Sequence, residues 1–261
     1  MSFLLSSPFR LVFLVTCCAV LWSMESLVPL YRYRNDRLRR TWPNIALTAI
    51  VLLTNLALSF VAASVSAAVI HNGIGLLSVT ELPLWLDVLL SIAALDFFTY
   101  VAHVALHKSP MGWRFHRVHH SEEEVDVTTA FRQHPGESLW RILWQLPAIV
   151  LLGIPLWMVV VSLTVSTFNA QLEHANIRVR EPLDRALRLV FVTPNMHKVH
   201  HSRWQQETDS NYANIFSLWD RMFGTYTPHI DFAKLRYGLD DIDGRATRQL
   251  GGLLAMPFSV K

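Results

Sequence analysis

Hydrophobic and polar positions are distributed very unevenly along the chain. Neither residues 41–80 nor residues 142–172 contain a single Asp, Glu, Lys or Arg. Such runs exceed the ~18 apolar residues that mark a membrane helix. The pattern predicts three spanning segments, at about Leu11 to Tyr31, Ile45 to Ile70 and Leu82 to His107. Pro43 marks the start of the second, and the uncharged stretch HNGIG (71–75) leads toward the third. The fourth run would be ~46 Å long as one helix, against a hydrocarbon core of ~30 Å. It contains Gly153-Ile154-Pro155, a strong helix breaker. It therefore reads as a hairpin that enters the membrane and returns, on two helices that could fall short of full depth.

Composition agrees with this pattern. The chain has 261 residues, 52% hydrophobic and only 16% charged, where soluble domains carry about 25% charged residues. The expected fold class is an all-α integral membrane protein. Its transmembrane bundle would have about three spanning helices plus the helical hairpin, under a cytoplasmic, histidine-rich helical cap. Residues 1–80 would form the N-terminal transmembrane helices, 81–228 a catalytic domain and 229–261 a C-terminal cytoplasmic tail. Residues 11–31 read as a retained helix, because no small-x-small cleavage site accompanies them. Cys17 and Cys18 are adjacent in an apolar segment and suggest neither a disulfide framework nor a metal site.

Charge orients the bundle. Arg32, Arg34, Arg37, Arg39 and Arg40 crowd one short loop, which the positive-inside rule places in the cytoplasm. The third segment then delivers His103 and His107 to the cytoplasmic end, and the hairpin returns the chain to the same side. Residues 108–137 and 175–261 would be cytoplasmic, with His71 alone on the other face. The net charge of +3 is absorbed by this loop, so no nucleic-acid partner is expected.

Ten of the twelve histidines fall within 103–201. HVALH places His103 and His107 on one helix face. HRVHH carries His116, His119 and His120, and HKVHH carries His197, His200 and His201, each box followed by serine. Ser109-Pro110 and Thr193-Pro194 supply a hydroxyl cap followed by proline before the two boxes. Positions i+3 and i+4 straddle the direction of residue i, so one box can serve two adjacent metals. A structural zinc closes with four ligands, so eight imidazoles in three boxes point to two ions with positions left for oxygen or water. Imidazole accommodates iron, zinc, copper or nickel. His134 in RQHPGE and His174 in LEHAN are further candidate ligands.

Asp96, Tyr100, His103 and His107 form one stripe on the third segment. An aspartate inside a membrane helix usually has a function, and here it is expected to accept the second ring N–H of a ligating histidine. The triplet Glu122-Glu123-Glu124 reads as a solvated face, His71 and His229 as surface residues. The nine tryptophans read as packing or interfacial anchors.

The order H-x3-H, H-x2-H-H, H-x2-H-H after several membrane helices resembles the fatty acid hydroxylase/sterol desaturase superfamily. Over about residues 90–228 the similar segments are DFFTYVAHVALH, HRVHHS, RQHPGE, LEHANI, HKVHHS and SNYANIFSLWDRMFGTY. The resemblance implies a membrane-embedded dimetal centre, usually two iron ions with zinc as a substitute. With O2 and electrons from a separate donor (cytochrome b5-like, a ferredoxin or a reductase), it would hydroxylate a C–H bond of a membrane lipid. It further implies that Asn211, Tyr212, Trp219, Asp220 and Gly224 support the site. Val104 departs from relatives that carry arginine after the first histidine.

Lipid desaturation at the same site is the alternative within this chemistry. Outside it stand a zinc-dependent membrane hydrolase, a metal transporter and a b-type haem carrier. Transport would need polar residues along the buried helices, and the second segment offers only Thr, Ser and Asn. The expected location is a multi-pass membrane protein with a cytoplasmic active site, in a bacterial inner membrane rather than the endoplasmic reticulum.

Overall fold

A computed structural model describes residues 7–33, 37–228, 232–240, 242, 244 and 246–259; Arg34 and His229 lie outside them. Eight helices carry the architecture: α1 (Ser7–Leu27), α2 (Arg37–His71), α3 (Leu84–Lys108), α4 (Pro110–His120), α5 (Pro135–Leu152), α6 (Leu156–His174), α7 (Glu181–Leu187) and α8 (Pro194–His200). The described residues hold no named strand, only the isolated bridges Pro29–Ile177 and Phe191–Phe216.

Among the described residues three helices, within 8–27, 37–78 and 84–108, are long and apolar enough to cross a membrane. The fold is that of an all-helical membrane protein. The first helix ends earlier than its hydropathy suggests, because residues 28–31 leave it to pair with the chain beyond α6: the Leu30 amide donates to the Asn176 carbonyl at 3.1 Å. The second starts earlier. Arg37, Arg39 and Arg40 lie on its first turn rather than in a loop, and Pro43 sits inside the helix instead of opening it.

The fourth apolar run is the expected hairpin. Gly153 ends α5 in the left-handed conformation (φ 74°), and Pro155 opens α6 as its N-cap. The hairpin nevertheless reaches the far end of the bundle. Ser66 Oγ, near the end of α2, donates to the Ile154 carbonyl at 2.9 Å. Gly75, with φ 101°, lies so close that a Cβ there would stand 2.1 Å from the Gly153 nitrogen. Two helices of 18 and 19 residues rise about 27 Å each, which suffices for nearly the whole hydrocarbon core.

All the chemistry-bearing helix ends meet at the opposite pole. The C-termini of α1, α3 and α6 and the N-termini of α2 and α5 converge there, around α4 and α8. Large apolar side chains such as Leu53 (71% exposed) and Phe60 (68%) face outward from α2. Trp42 at one end of the bundle and Trp85 at the other are also exposed, as interfacial anchors are.

Candidate metal centre

Both H-x2-H-H boxes end helices whose starts are capped as their sequences indicate. Ser109 Oγ accepts the Gly112 amide and Thr193 Oγ1 accepts the Met196 amide, each at 3.2 Å. The short α4 and α8 thereby lie against the ends of α3 and α6, and nine imidazoles gather in two adjacent groups. His103, His107, His116, His120 and His200 form one; His119, His174, His197 and His201 form the other. One nitrogen from each residue lies within 4.8 Å of the rest of its group. Each H-x2-H-H box divides its histidines between the two groups, while His103 and His107 of HVALH both join the first.

Hydrogen bonds fix which nitrogen faces inward. His103 Nδ1 donates to the Tyr212 carbonyl at 2.7 Å, and His200 Nδ1 to the Ser210 carbonyl at 2.8 Å. His174 Nδ1 donates to the Ala170 carbonyl at 2.6 Å and His119 Nδ1 to the Arg132 carbonyl at 3.3 Å. His116 Nδ1 meets Glu137 Oε2 at 3.0 Å. A neutral imidazole has one N–H, so the Nε2 atoms of these rings carry bare lone pairs. His103 Nε2 and His116 Nε2 are nevertheless 2.9 Å apart. His174 Nε2 lies 3.1, 3.0 and 3.0 Å from the Nε2 atoms of His119, His197 and His201.

Lone pairs at such distances repel unless a cation lies between them. Metal–imidazole bonds of about 2.0–2.1 Å imply nitrogen–nitrogen edges of ~3.3 Å in a tetrahedron, close to the observed spacing. Both nitrogens of His120 and the Nε2 atoms of His107 and His200 are buried without a hydrogen-bond partner among the described residues. Burial, reinforced by neighbouring imidazoles, lowers the pKa of His116, His119, His120, His197, His200 and His201. The rings are held in the neutral form that ligates. The donor set fits two metal ions.

His134 is not part of either group. Its Nδ1 accepts the Gly136 amide at 3.0 Å, capping α5, and its Nε2 meets the Leu254 carbonyl at 3.3 Å. Asp96 also departs from expectation, since among the described residues its hydrogen bonds go to no histidine. Its carboxylate accepts the Ile215 and Phe216 amides at 3.0 Å and Trp219 Nε1 at 2.8 Å. It anchors the segment that carries the supporting residues.

In that segment Asp220 accepts the Tyr212 and Ala213 amides at 2.8 and 3.0 Å, which sets the Tyr212 carbonyl against His103. Asn211 adopts φ 52°, and its Nδ2 donates to the Thr227 carbonyl at 2.9 Å. Tyr100 meets Thr225 Oγ1 at 2.9 Å through its hydroxyl and lies edge-on to the Tyr212 ring.

Sequence reasoning missed a second layer of charged groups. Asp209 Oδ1 stands 3.4 Å from His107 Nδ1 and its Oδ2 accepts Lys108 Nζ at 2.9 Å. Burial would raise its carboxyl, but the bonds from His107 and Lys108 hold it well below the usual carboxylate range. Glu122 is buried rather than solvated, accepting Asn44 Nδ2 at 3.2 Å and facing Arg132 Nη1 at 3.6 Å. Arg132 also donates to Asn44 Oδ1, Ser121 Oγ and the Val118 and Thr247 carbonyls. Lys198, in the basic slot of the HKVHH box, is wholly buried; burial pushes it down to about 7, and its Nζ donates to the His174 carbonyl. Glu25, at the end of α1, accepts the Val127 and Asn176 amides, both at 2.7 Å. The only advance signal for these groups was charge beside an apolar segment or a histidine box.

Residues 88–225, more than half of the chain, match the family model for fatty acid hydroxylase. The chain belongs to the fatty acid hydroxylase family. It is 34% identical over 181 residues to an ornithine lipid hydroxylase of Rhizobium tropici, covering 69% of this chain and 52% of that protein. It is 31% identical over 150 residues to an alkylglycerol monooxygenase of Danio rerio, covering 58% of this chain and 32% of the relative. The human alkylglycerol monooxygenase is 32% identical over 145 residues, covering 55% and 31% of the two chains. This family member thus spans about half or less of these relatives' lengths. No solved structure matches it.

Proposed function

We propose that this protein is a membrane-bound, O2-dependent lipid hydroxylase with two iron ions, one in each histidine group. The observation that carries the reading is the convergence of unprotonated Nε2 atoms, 2.9–3.1 Å apart, in a buried site at one end of a membrane bundle. The hydroxylase and monooxygenase names of the relatives support hydroxylation as the outcome. When bound, the metals would supply the oxidising power that side chains lack, drawing electrons from a separate donor.

The chain's own residues hold and orient that group. His103, His107, His116, His120 and His200 would hold one ion, and His119, His174, His197 and His201 the other. The carbonyls of Tyr212, Ser210, Ala170 and Arg132 and the carboxyl of Glu137 keep the Nδ1 proton on their rings, turning Nε2 inward. Such outer partners tune affinity and ligand basicity. Complete burial of the box rings keeps bulk water from the reacting centre. Helix ends that converge at one pole let a lipid tail approach from the bilayer while its head group stays at the interface. The arginines on the first turn of α2 lie at this pole, which supports a cytoplasmic orientation.

Metal analysis of the purified protein, with lipid mass spectrometry of cells with and without it, tests the reading. Two equivalents of iron and a lipid gaining one oxygen atom are expected. A lipid losing two hydrogens would make it a desaturase. Zinc alone with O2-independent turnover would overturn the assignment in favour of a hydrolase.

A further inference from the structure

We infer that the segments 187–191 and 215–223, outside every helix that hydropathy marks as spanning, lie within the bilayer as a re-entrant unit against α3 and α6. Two helices set the depth independently. Asp96 binds the Ile215 and Phe216 amides, and it precedes His103 by seven residues on α3, a rise of about 10 Å. Asn214 Nδ2 donates to Ser166 Oγ at 2.7 Å, and Ser166 precedes His174 by eight residues on α6, about 12 Å. Residues 214–216 are thus wedged between two membrane helices, roughly 10 Å from the metal pole toward the membrane interior. That pole is level with the start of α2, where Asn44 contacts Glu122 and the exposed Trp42 marks an interface.

The side chains agree with this depth. Leu189, Phe191, Leu218, Met222 and Phe223 are all exposed, Met222 at 69%. Phe223 packs on Phe97 of α3 with ring centroids 5.8 Å apart, so the apolar face continues that of a spanning helix. Irregular backbone at membrane depth must find its hydrogen bonds within the protein. Here it does. The Val192 amide donates to the Ile215 carbonyl and the Ser217 amide to Val190, both at 2.9 Å. Asp96 and Asp220 accept the amides of 212, 213, 215 and 216. Asp96 is thereby explained, since it replaces the water that this backbone would otherwise bind. Arg188 and Arg221 find partners within the protein: Arg221 Nη2 donates to the Arg188 carbonyl, and Arg188 pairs with Glu181 and Asp184. The occupant of this face is the acyl region of the bilayer.

Photolabelling of the unmodified protein in lipid bilayers, with a diazirine placed on the acyl chain, tests this. Label on peptides 187–191 and 218–223 at the level found on the Leu52–Phe60 stretch of α2 is expected. Label on that stretch, with the two peptides no higher than exposed residues 203–206, would overturn the inference while leaving a membrane protein. Absence of label on α2 as well would overturn both. A second readout uses Leu189→Cys and Met222→Cys nitroxides with Cys17 and Cys18 replaced by alanine. These sites should collide with oxygen in preference to a water-soluble nickel complex, as a label at Leu53 does. A ratio matching that at Arg203 overturns the proposal.

Discussion

The main-chain carbonyl of Tyr212 accepts the Nδ1 proton of His103 at 2.7 Å, across 109 residues of sequence. Asp220 in turn grips the Tyr212 amide, so one carboxylate outside the metal groups decides how a ring inside them is turned. Asp220→Asn replaces one accepting oxygen by a donor that opposes the Ala213 amide. Loss of such outer partners lowers metal affinity or activity about 10–100-fold. Metal titration of the variant checks this, and an unchanged affinity would show that Tyr212 is held by other means.

His134 and His119 should part company. His119→Ala removes one of four nitrogens from its group and is expected to release about one of two ions. His134→Ala should keep both and lose about 1 kcal/mol through the missing helix cap. Elemental analysis beside thermal unfolding of the two variants separates a ligand from a cap.

Acid should destabilise the metal-free protein. The buried box histidines have folded pKa values below the ordinary 6.5. As pH falls through 6.5 the unfolded chain takes up protons before the folded one does. Each ring therefore contributes stability that is present above 6.5 and is lost below it, by up to about 1.4 kcal/mol per pH unit. Unfolding of chelator-treated protein should show its midpoint dropping steeply from pH 6.5 downward. A flat profile between pH 7 and 5 would contradict neutral, buried rings.

Arg132→Met should remove more than a side chain. It leaves Glu122 with only the more distant Arg40, at 4.0 Å, and Asn44 Oδ1 without its donor. Breaking a buried pair in this way costs about 3–5 kcal/mol. A sharp fall in the yield of monodisperse protein after detergent extraction is expected. Wild-type yield and melting temperature would show that Arg132 is dispensable.

Local chemistry was legible in the sequence, and long-range pairing was not. The histidine boxes, their serine and threonine caps and the break at Gly153–Pro155 each depend on a few adjacent residues. Pattern alone located them. Asp96 was recognised as unusual but given the wrong partner, because its ligands lie 119–123 residues away. Glu122 looked solvated because its neighbours are glutamates; Asn44 and Arg132 bury it from separate parts of the chain. His134 shares the residue type of the ligands, and only its place at the start of α5 reveals the cap.

The donor set itself carries no charge. Nine neutral imidazoles leave the positive charge of any ions they hold uncompensated, and acidic groups stand beside the rings. Glu137 lies behind His116 and Asp209 behind His107, while Glu173 Oε1 is 3.8 Å from both His174 Nδ1 and the inward Nε2 of His197. A carboxyl that draws on the far proton of a ring makes the near nitrogen a stronger electron donor. The ease with which such a centre surrenders an electron would therefore be tuned by acids that stand beside the ligand rings.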